Sequence, residues 1–431
     1  MKPAASRWGA GARTPPAVGS PAQRRDASGS SRARRRPWSR ADSARAFKTT
    51  EAGTRTKTTS EEAGEDEQRW DLWLALPLQP GKRRVTRRRE LVKNKIYSFE
   101  QLLGTLDVIV NQRMTVVALR GGGLFVHSPV APTKECLRLL EELELKHGSV
   151  RYIVLPTTAV EHKVFFGPFC REFPEAELFA APRQWSIPPL PNSFLGFPRK
   201  VTTISTEKRG EYPWQREFDI AILNLTVGIG PFVEVAFYHK STRTLLVTDT
   251  CFMIPEEPPE VCQVDPTPLL KRARDDKRDG MVMSKDTEAN RIKGWWKTIL
   301  FSIFFQPSSV EFAPWEWPTA LVWRDDRWVE KVKTVQNKLL VAPILQELVF
   351  SRDPNGALEY MRKLCKFRFR RIVPAHFDAP IEATPRDLRR AAAFLKDGED
   401  GDGDYPESEL KLLRGLTQFL TITGIAGKPK V

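Results

Sequence analysis

Cysteine is scarce. The 431-residue chain has five, Cys136, Cys170, Cys251, Cys262 and Cys365, and none forms a C-x-x-C pair. That spacing indicates neither a zinc ribbon nor a disulfide framework, and reads as buried free thiols in a reducing compartment. Long apolar runs are also missing. The longest, Thr298 to Phe305, falls far short of the roughly 20 residues that a membrane helix needs, so no transmembrane segment is expected. There is no G-x-S-x-G elbow and no P-loop, so no serine nucleophile and no Walker-type phosphate cradle is indicated. The triple glycine Gly121–Gly123 joins two strand-like runs instead of opening a helix, so it reads as a hairpin turn. What the chain does have is apolar mass: 41% hydrophobic residues, with 12 Trp and 24 Phe, enough for one large domain or two ordinary ones.

The body also lacks net charge. Residues 1–50 hold 12 Lys/Arg against Asp26 and Asp42, and residues 81–95 hold 8 against Glu90, segments of +10 and +7. Taken from the total of +15, they leave the remainder at −2. Basicity therefore belongs to two segments, and nucleic acid is not an expected partner. Residues 1–69, rich in Arg, Ala, Ser, Gly and Pro and without an apolar h-region, have the composition of an organelle transit peptide, whose partner is the import machinery. A basic disordered tail touching nucleic acid or membrane is the alternative. The acidic stretch 61–67 reads as a linker, and 81–95 as a solvated arm, because no aromatic residues interleave with its charges.

From Trp70 onward the pattern is α/β. Met114–Leu119 and Leu124–His127 read as strands, and the leucines around 137–143 as a helix stopped by His147-Gly148. In the stretch that starts at Val150, Tyr152 to Leu155 reads as a short buried strand, closed by Pro156 and a polar loop that delivers Glu161 and His162. Lys163–Phe173 reads as a helix despite Pro168, and Glu177–Ala181 as a strand. Residues 182–198 carry five prolines with Trp185, Phe194 and Phe197, too irregular for an element. Asp219–Leu225 is a strand, and Phe232–Tyr238 with Arg243–Thr248 a hairpin ending at Asp249. Residues 255–289 are mostly loop. Helices follow at 290–305, 331–350, 357–367 and 384–395, with the short strand Arg371–Val373 running into Pro374-Ala375-His376. A Gly/Asp loop at 397–404 and a helix over 407–421 make up most of a C-terminal segment, 396–431.

Three strand ends thus present metal-ligand chemistry: Glu161 with His162, then Asp249, then His376. Neutral imidazole and carboxylate on rigid strand ends suit one zinc, iron or manganese ion. Each residue alone has a structural explanation, a hydrogen-bonded core histidine or a turn-forming Asp. Their shared placement favours a common site.

This order of elements resembles the metallo-β-lactamase superfamily, in which a strand runs into His-x-His-x-Asp-His, a hairpin ends in a bridging Asp and a last strand ends near a Pro-Gly-His turn. Here the first motif becomes Thr157-x-Ala159-x-Glu161-His162, the bridging Asp is Asp249, and the last His is His376. More closely, the chain resembles an uncharacterised branch of that superfamily from plastid-bearing organisms and cyanobacteria, a domain of unknown function. The segments that carry this resemblance are Arg113–Val117, Gly122–Thr133, Leu155–Lys163, Trp185-Ser186, Leu195–Pro198, Glu234–Lys240 and Ile372–Phe377.

The resemblance implies an αββα four-layer sandwich over residues 70–395 and a plastid stroma location, with the mitochondrion as alternative. It also implies a degenerate centre. Thr157 and Ala159 stand in for the two histidines of the first metal, and no histidine lies around 228–232. Glu161, His162, Asp249 and His376 are the implied ligands of a single metal, Glu161 being one methylene longer than the usual Asp. His127 and His239 are expected to face packing or solvent. Two functions stay open: a mononuclear metal-dependent hydrolase, or a non-enzymatic binding or scaffold module that holds no metal. For the scaffold, the aromatic segments 185–197 and 295–317 are the expected surface.

Overall fold

The structure is a computed structural model describing residues 66–70, 78–79, 83–105, 108–186, 190–194, 196–208, 210–227, 230–275, 283–304, 307, 309–312, 321–323, 327–396, 405 and 407–423. Outside these lie nearly all of the segment read as transit peptide and linker, most of the stretch from Trp70 to Leu78, the 397–404 loop, and parts of the segments 182–198 and 295–317.

Strands β1 (Leu78–Gln79), β2 (Arg87–Val92), β3 (Ile96–Thr105), β4 (Val108–Ala118) and β5 (Leu124–His127) open the chain. Helix α1 (Lys134–His147), β6 (Val150–Leu155), α2 (Val160–Glu172), β7 (Glu177–Ala180) and β8 (Thr202–Thr203) complete the first half. These strands form one eight-stranded sheet, antiparallel up to the β4–β5 pair and parallel from β5 through β8. Thr133 caps α1 through its hydroxyl, and Gly148 ends it at φ +94°, a conformation open to glycine.

The second sheet is built from β9 (Phe218–Thr226), β10 (Pro231–His239), β11 (Thr244–Leu246) and two short strands from late in the chain. Between them come β12 (Phe252–Met253), α3 (Glu260–Gln263), α4 (Thr267–Arg272), α5 (Glu288–Phe304), β13 (Val310–Phe312), β14 (Leu321–Trp323), α6 (Trp328–Val335), β15 (Leu339–Leu340), α7 (Pro343–Leu348) and α8 (Pro354–Leu364). β16 (Arg371–Val373), β17 (Ile381–Glu382), α9 (Pro385–Ala391) and α10 (Glu407–Ile422) follow. The order across this sheet is β17-β16-β11-β10-β9, with β11 and β16 parallel.

Period-two alternation sorts the side chains into layers. In β6, Ile153 and Leu155 face outward onto Leu140 of α1 and Phe166 and Phe169 of α2, whereas Tyr152 and Val154 face inward. In β10, Val233, Val235 and Phe237 face the same inner layer, and Ala236 points away, into the core that includes Tyr360 and Met361 of α8. Helices, sheet, sheet, helices: the chain adopts the αββα sandwich. Phe125 and Phe218 meet between the sheets with centroids 4.4 Å apart. Fully burying a side chain of this size contributes about 2 kcal/mol.

Two sequence expectations are corrected. The 81–95 stretch is not a free arm in its described part: Arg87–Val92 is a strand paired with β3, and Arg84 is buried, its Nη1 donating to the Leu102 carbonyl at 2.7 Å. Arg88 and Arg89 reach Glu142 and Glu100, so these charges fasten a strand. The helix expected over 331–350 is broken into α6, β15 and α7, because Asn337 adopts φ +54° and Pro343 cannot donate within a helix, so it opens α7 instead. Within 255–289, α3 and α4 are short helices, and most of the other described residues are loop as expected. All five cysteines are free, four of them buried. No described helix is long and apolar enough to cross a membrane.

Candidate metal centre

The carboxyl ends of β6, β11 and β16 open onto one rim, and the loop leaving β6 ties the two sheets together there. Pro156 O accepts from Val235 N at 2.7 Å, Thr158 N donates to Val233 O at 3.1 Å, and Thr157 bridges to Glu234. Helix α2 starts directly after this loop. Glu161 and His162 therefore stand in the first turn of a helix, not in the loop the sequence suggested, and the helix N-terminus favours the Glu161 carboxylate. Asp249 follows β11, and His376 follows β16.

All four sequence-derived residues come together. One donor atom from each of Glu161, His162, Asp249 and His376 lies within 4.8 Å of the others. The two Asp249 oxygens are split between the imidazoles, with His162 Nε2 at 3.8 Å from Oδ2 and His376 Nε2 at 3.5 Å from Oδ1. The imidazole centroids are 5.3 Å apart.

Buried neighbours orient each group. His376 Nδ1 lies 2.9 Å from the Asn111 carbonyl, which can only accept, so the proton sits on Nδ1 and Nε2 offers its lone pair. His162 Nδ1 meets Ser128 Oγ at 2.8 Å and Gln112 Nε2 at 3.3 Å. The Asp249 loop is held by Glu234, whose carboxylate accepts from Thr248 N at 2.7 Å and Asp249 N at 3.0 Å. The His376 turn is clamped by β4. Arg113 donates to the Pro374, His376 and Phe377 carbonyls and to Glu100, and Asn111 Oδ1 accepts from Phe377 N at 2.8 Å. That clamp holds Phe377 at φ +59°.

The electrostatics leave this centre short of positive charge. Burial holds His162 well below the ordinary imidazole range, and His376 and His127 lower it further. Burial likewise brings His376 down to about 4. Both rings are neutral near pH 7, the form that ligates metal. Burial raises Asp249 well above the usual carboxylate range, with Glu161 and Glu234 adding to it, and burial raises Glu161 and Glu234 too. Three acids thus face two neutral rings. His162 Nε2 and Asp249 Oδ2 are buried with no hydrogen-bond partner. Two orphaned atoms facing each other, one an imidazole nitrogen and one a carboxyl oxygen, fit a cation between them.

Thr157, Thr158 and their neighbours are engaged in other contacts. Thr157 Oγ1 accepts from Ala159 N at 3.2 Å, and Thr157 O accepts from Gln184 Nε2 at 3.0 Å. Thr158 Oγ1 and Trp185 Nε1 both donate to Pro231 O. Lys163 Nζ donates to Trp185 O at 2.6 Å and lies 5.9 Å from its ring centroid. Burial lowers Lys163 to about 8. A Cβ on Gly230 would come within 2.3 Å of the Trp185 ring, so the indole occupies the space a side chain would need there.

Sequence reasoning missed Asn111, Gln112, Arg113, Ser128 and Glu234. For the first three there was a signal, though not of their partners: Asn-Gln-Arg interrupts a largely apolar strand that is buried throughout this stretch. His127 and His239 are buried, His127 against Phe237 and His239 with Nδ1 2.7 Å from Thr242 Oγ1, so neither belongs to the ligand set. The aromatic helix 288–304 is no surface either, since Trp295, Phe301 and Phe304 are buried; in the proline-rich segment Phe194 is exposed.

No curated protein matches the chain. Among solved structures it is similar to the DIM-1 metallo-β-lactamase, at 8% identity and a TM-score of 0.36 over 72% of this chain and 98% of that one. A metallo-β-lactamase from Pontibacter korlensis gives 11% and 0.34 over 73% and 100%. A flavodiiron core from Synechocystis gives 9% and 0.38 over 72% of this chain and 61% of that one. The fold assignment rests on the layers themselves. A family model described as a domain of unknown function, DUF4336, matches residues 93–394, and the chain belongs to that family.

Proposed function

We propose that the chain is a mononuclear metal-dependent hydrolase whose ion is held by Glu161, His162, Asp249 and His376. The observation that carries this reading is the pair of orphaned buried atoms, His162 Nε2 and Asp249 Oδ2, within a four-donor set spanning 4.8 Å. Two imidazoles and two carboxylates suit zinc, iron or manganese. A divalent ion there would supply Lewis acidity, polarising an ester, amide or phosphoester oxygen and making water a stronger acid. The chain's own residues do the rest: the Asn111 carbonyl and the Ser128 hydroxyl orient the rings, and Glu234 fixes the Asp249 loop. Thr157 and Ala159 supply no ligand for a second ion. The composition of residues 1–69 supports import into a plastid.

A panel of ester, thioester and phosphoester substrates, assayed with full-length protein after metal loading, tests the reaction. Turnover that disappears on chelation and in His376→Ala is expected. The second reading, a scaffold that keeps the fold without the reaction, is favoured by Thr157 and Ala159 in place of first-metal ligands and by the Thr157–Gln184 and Lys163–Trp185 contacts. No turnover on any substrate, together with no stoichiometric metal, would select it.

A further inference from the structure

Ser128 follows β5 with φ +57°, the left-handed region that a glycine enters without steric cost and a serine does not. The residue is fully buried, and its amide donates to Val154 O at 2.9 Å. Strain of this kind concentrates at functional positions, and here the serine puts its hydroxyl 2.8 Å from His162 Nδ1.

The other group on Nδ1 is Gln112 Nε2, 3.3 Å away. Its orientation is fixed, because the same nitrogen donates to the Glu161 carbonyl at 2.8 Å. An amide NH2 cannot accept. The face of the ring toward Asp249 is Nε2, so a ligating His162 must carry its proton on Nδ1, and that proton needs an acceptor. Of the two side-chain groups on Nδ1, only Ser128 Oγ can accept it.

We infer that Ser128 is a positioning residue, whose hydroxyl oxygen accepts the Nδ1 proton of His162 and so turns the Nε2 lone pair toward the metal position. This inference rests on the metal-centre reading. His376 differs: its tautomer is set by a backbone carbonyl that no side-chain substitution removes. His162 depends on one hydroxyl. Gln112 Oε1, buried and without a partner, could replace it only by an amide flip that gives up the Glu161 contact.

The position offers a discriminating variant. Ser128→Gly deletes the hydroxyl and at the same time relieves the backbone, so a purely structural role and a positioning role move different readouts. Full-length protein stripped with chelator is titrated with Co2+, following visible absorption, and unfolded thermally in the metal-free state. Ser128→Gly and Ser128→Ala are expected to bind Co2+ about 10- to 100-fold more weakly than wild type, the usual effect of losing such an outer hydrogen bond. Metal-free Ser128→Gly is expected to be no less stable than wild type. Variants that bind as tightly as wild type overturn the inference while leaving the metal centre standing. A wild-type chain that takes up no Co2+ overturns the metal-centre reading, and this inference with it.

Discussion

Replacing Arg113 by methionine tests how the rim is held. Its guanidinium is 1% exposed and pairs with Glu100, Nε to Oε1 at 3.0 Å, while its Nη atoms reach the Pro374, His376 and Phe377 carbonyls. Arg113→Met leaves Glu100 buried with only Asn111 and the half-exposed Arg89, 3.2 Å away. The Pro374 and His376 carbonyls lose this donor, while Phe377 O keeps Asn111 Nδ2. Removing one partner of a buried pair typically costs about 3–5 kcal/mol, and the residual Arg89 contact places this case near the lower end. The double variant Glu100→Leu/Arg113→Met strands no charge and is expected to cost less than Arg113→Met alone. Burial alone would raise the Glu100 pKa, but Arg113, Arg89 and Asn111 outweigh it and hold it below the usual range. The contribution of the pair is therefore complete at neutral pH and fades as pH falls through that depressed value. Urea unfolding of the metal-free chain at neutral pH reads Arg113→Met, Glu100→Leu and the double variant. A loss under about 1 kcal/mol for Arg113→Met, or a double variant costing the sum of the singles, would refute the reasoning.

The remaining predictions concern other parts of the chain. His239 is pushed down to about 4, chiefly by burial, with Lys95 and Arg120 adding to it. The folded ring then binds fewer protons than the unfolded one across the window from there to the ordinary value of 6.5, so stability rises with pH in that window and is lost as pH falls through it. His239→Gln should flatten that slope by up to about 3 kcal/mol in unfolding measured at the two ends. Gly167→Ala would place a Cβ 2.0 Å from the Gly196 carbonyl, backbone against backbone, and is expected to destabilise by about 1–3 kcal/mol in the same unfolding assay. Residues 1–69 fused to a fluorescent protein should carry it into plastids, and diffuse cytosolic fluorescence would remove the transit-peptide reading.

The α/β class could be read from the strand and helix patterns, whereas the four-layer order came with the family resemblance; its physical basis is that strands alternate between two apolar layers. Tyr152 and Val154 against Ile153 and Leu155 is the plainest case. The four site residues could be read because each follows a short buried strand, Val150–Leu155, Thr244–Leu246 or Arg371–Val373. Their supports were harder to see. Ser128, Glu234 and the Asn111–Arg113 run matter through partners as far as 266 residues away in the chain, which no local pattern encodes. The basic stretch misled for a related reason: the charges of Arg87–Arg89 suggest solvent, yet Glu260, Glu142 and Glu100 meet them one by one. Residues 331–350 have apolar spacing that fits a helix, and Pro343 overrides it.

The central claim is a single metal position, and its most direct test is the metal content of purified full-length protein by elemental analysis. The account predicts one equivalent of a first-row divalent metal per chain, retained through desalting and lost in His162→Ala. No metal at stoichiometric level, with His162→Ala indistinguishable from wild type, would contradict it, and two equivalents would contradict the loss of the first position to Thr157 and Ala159.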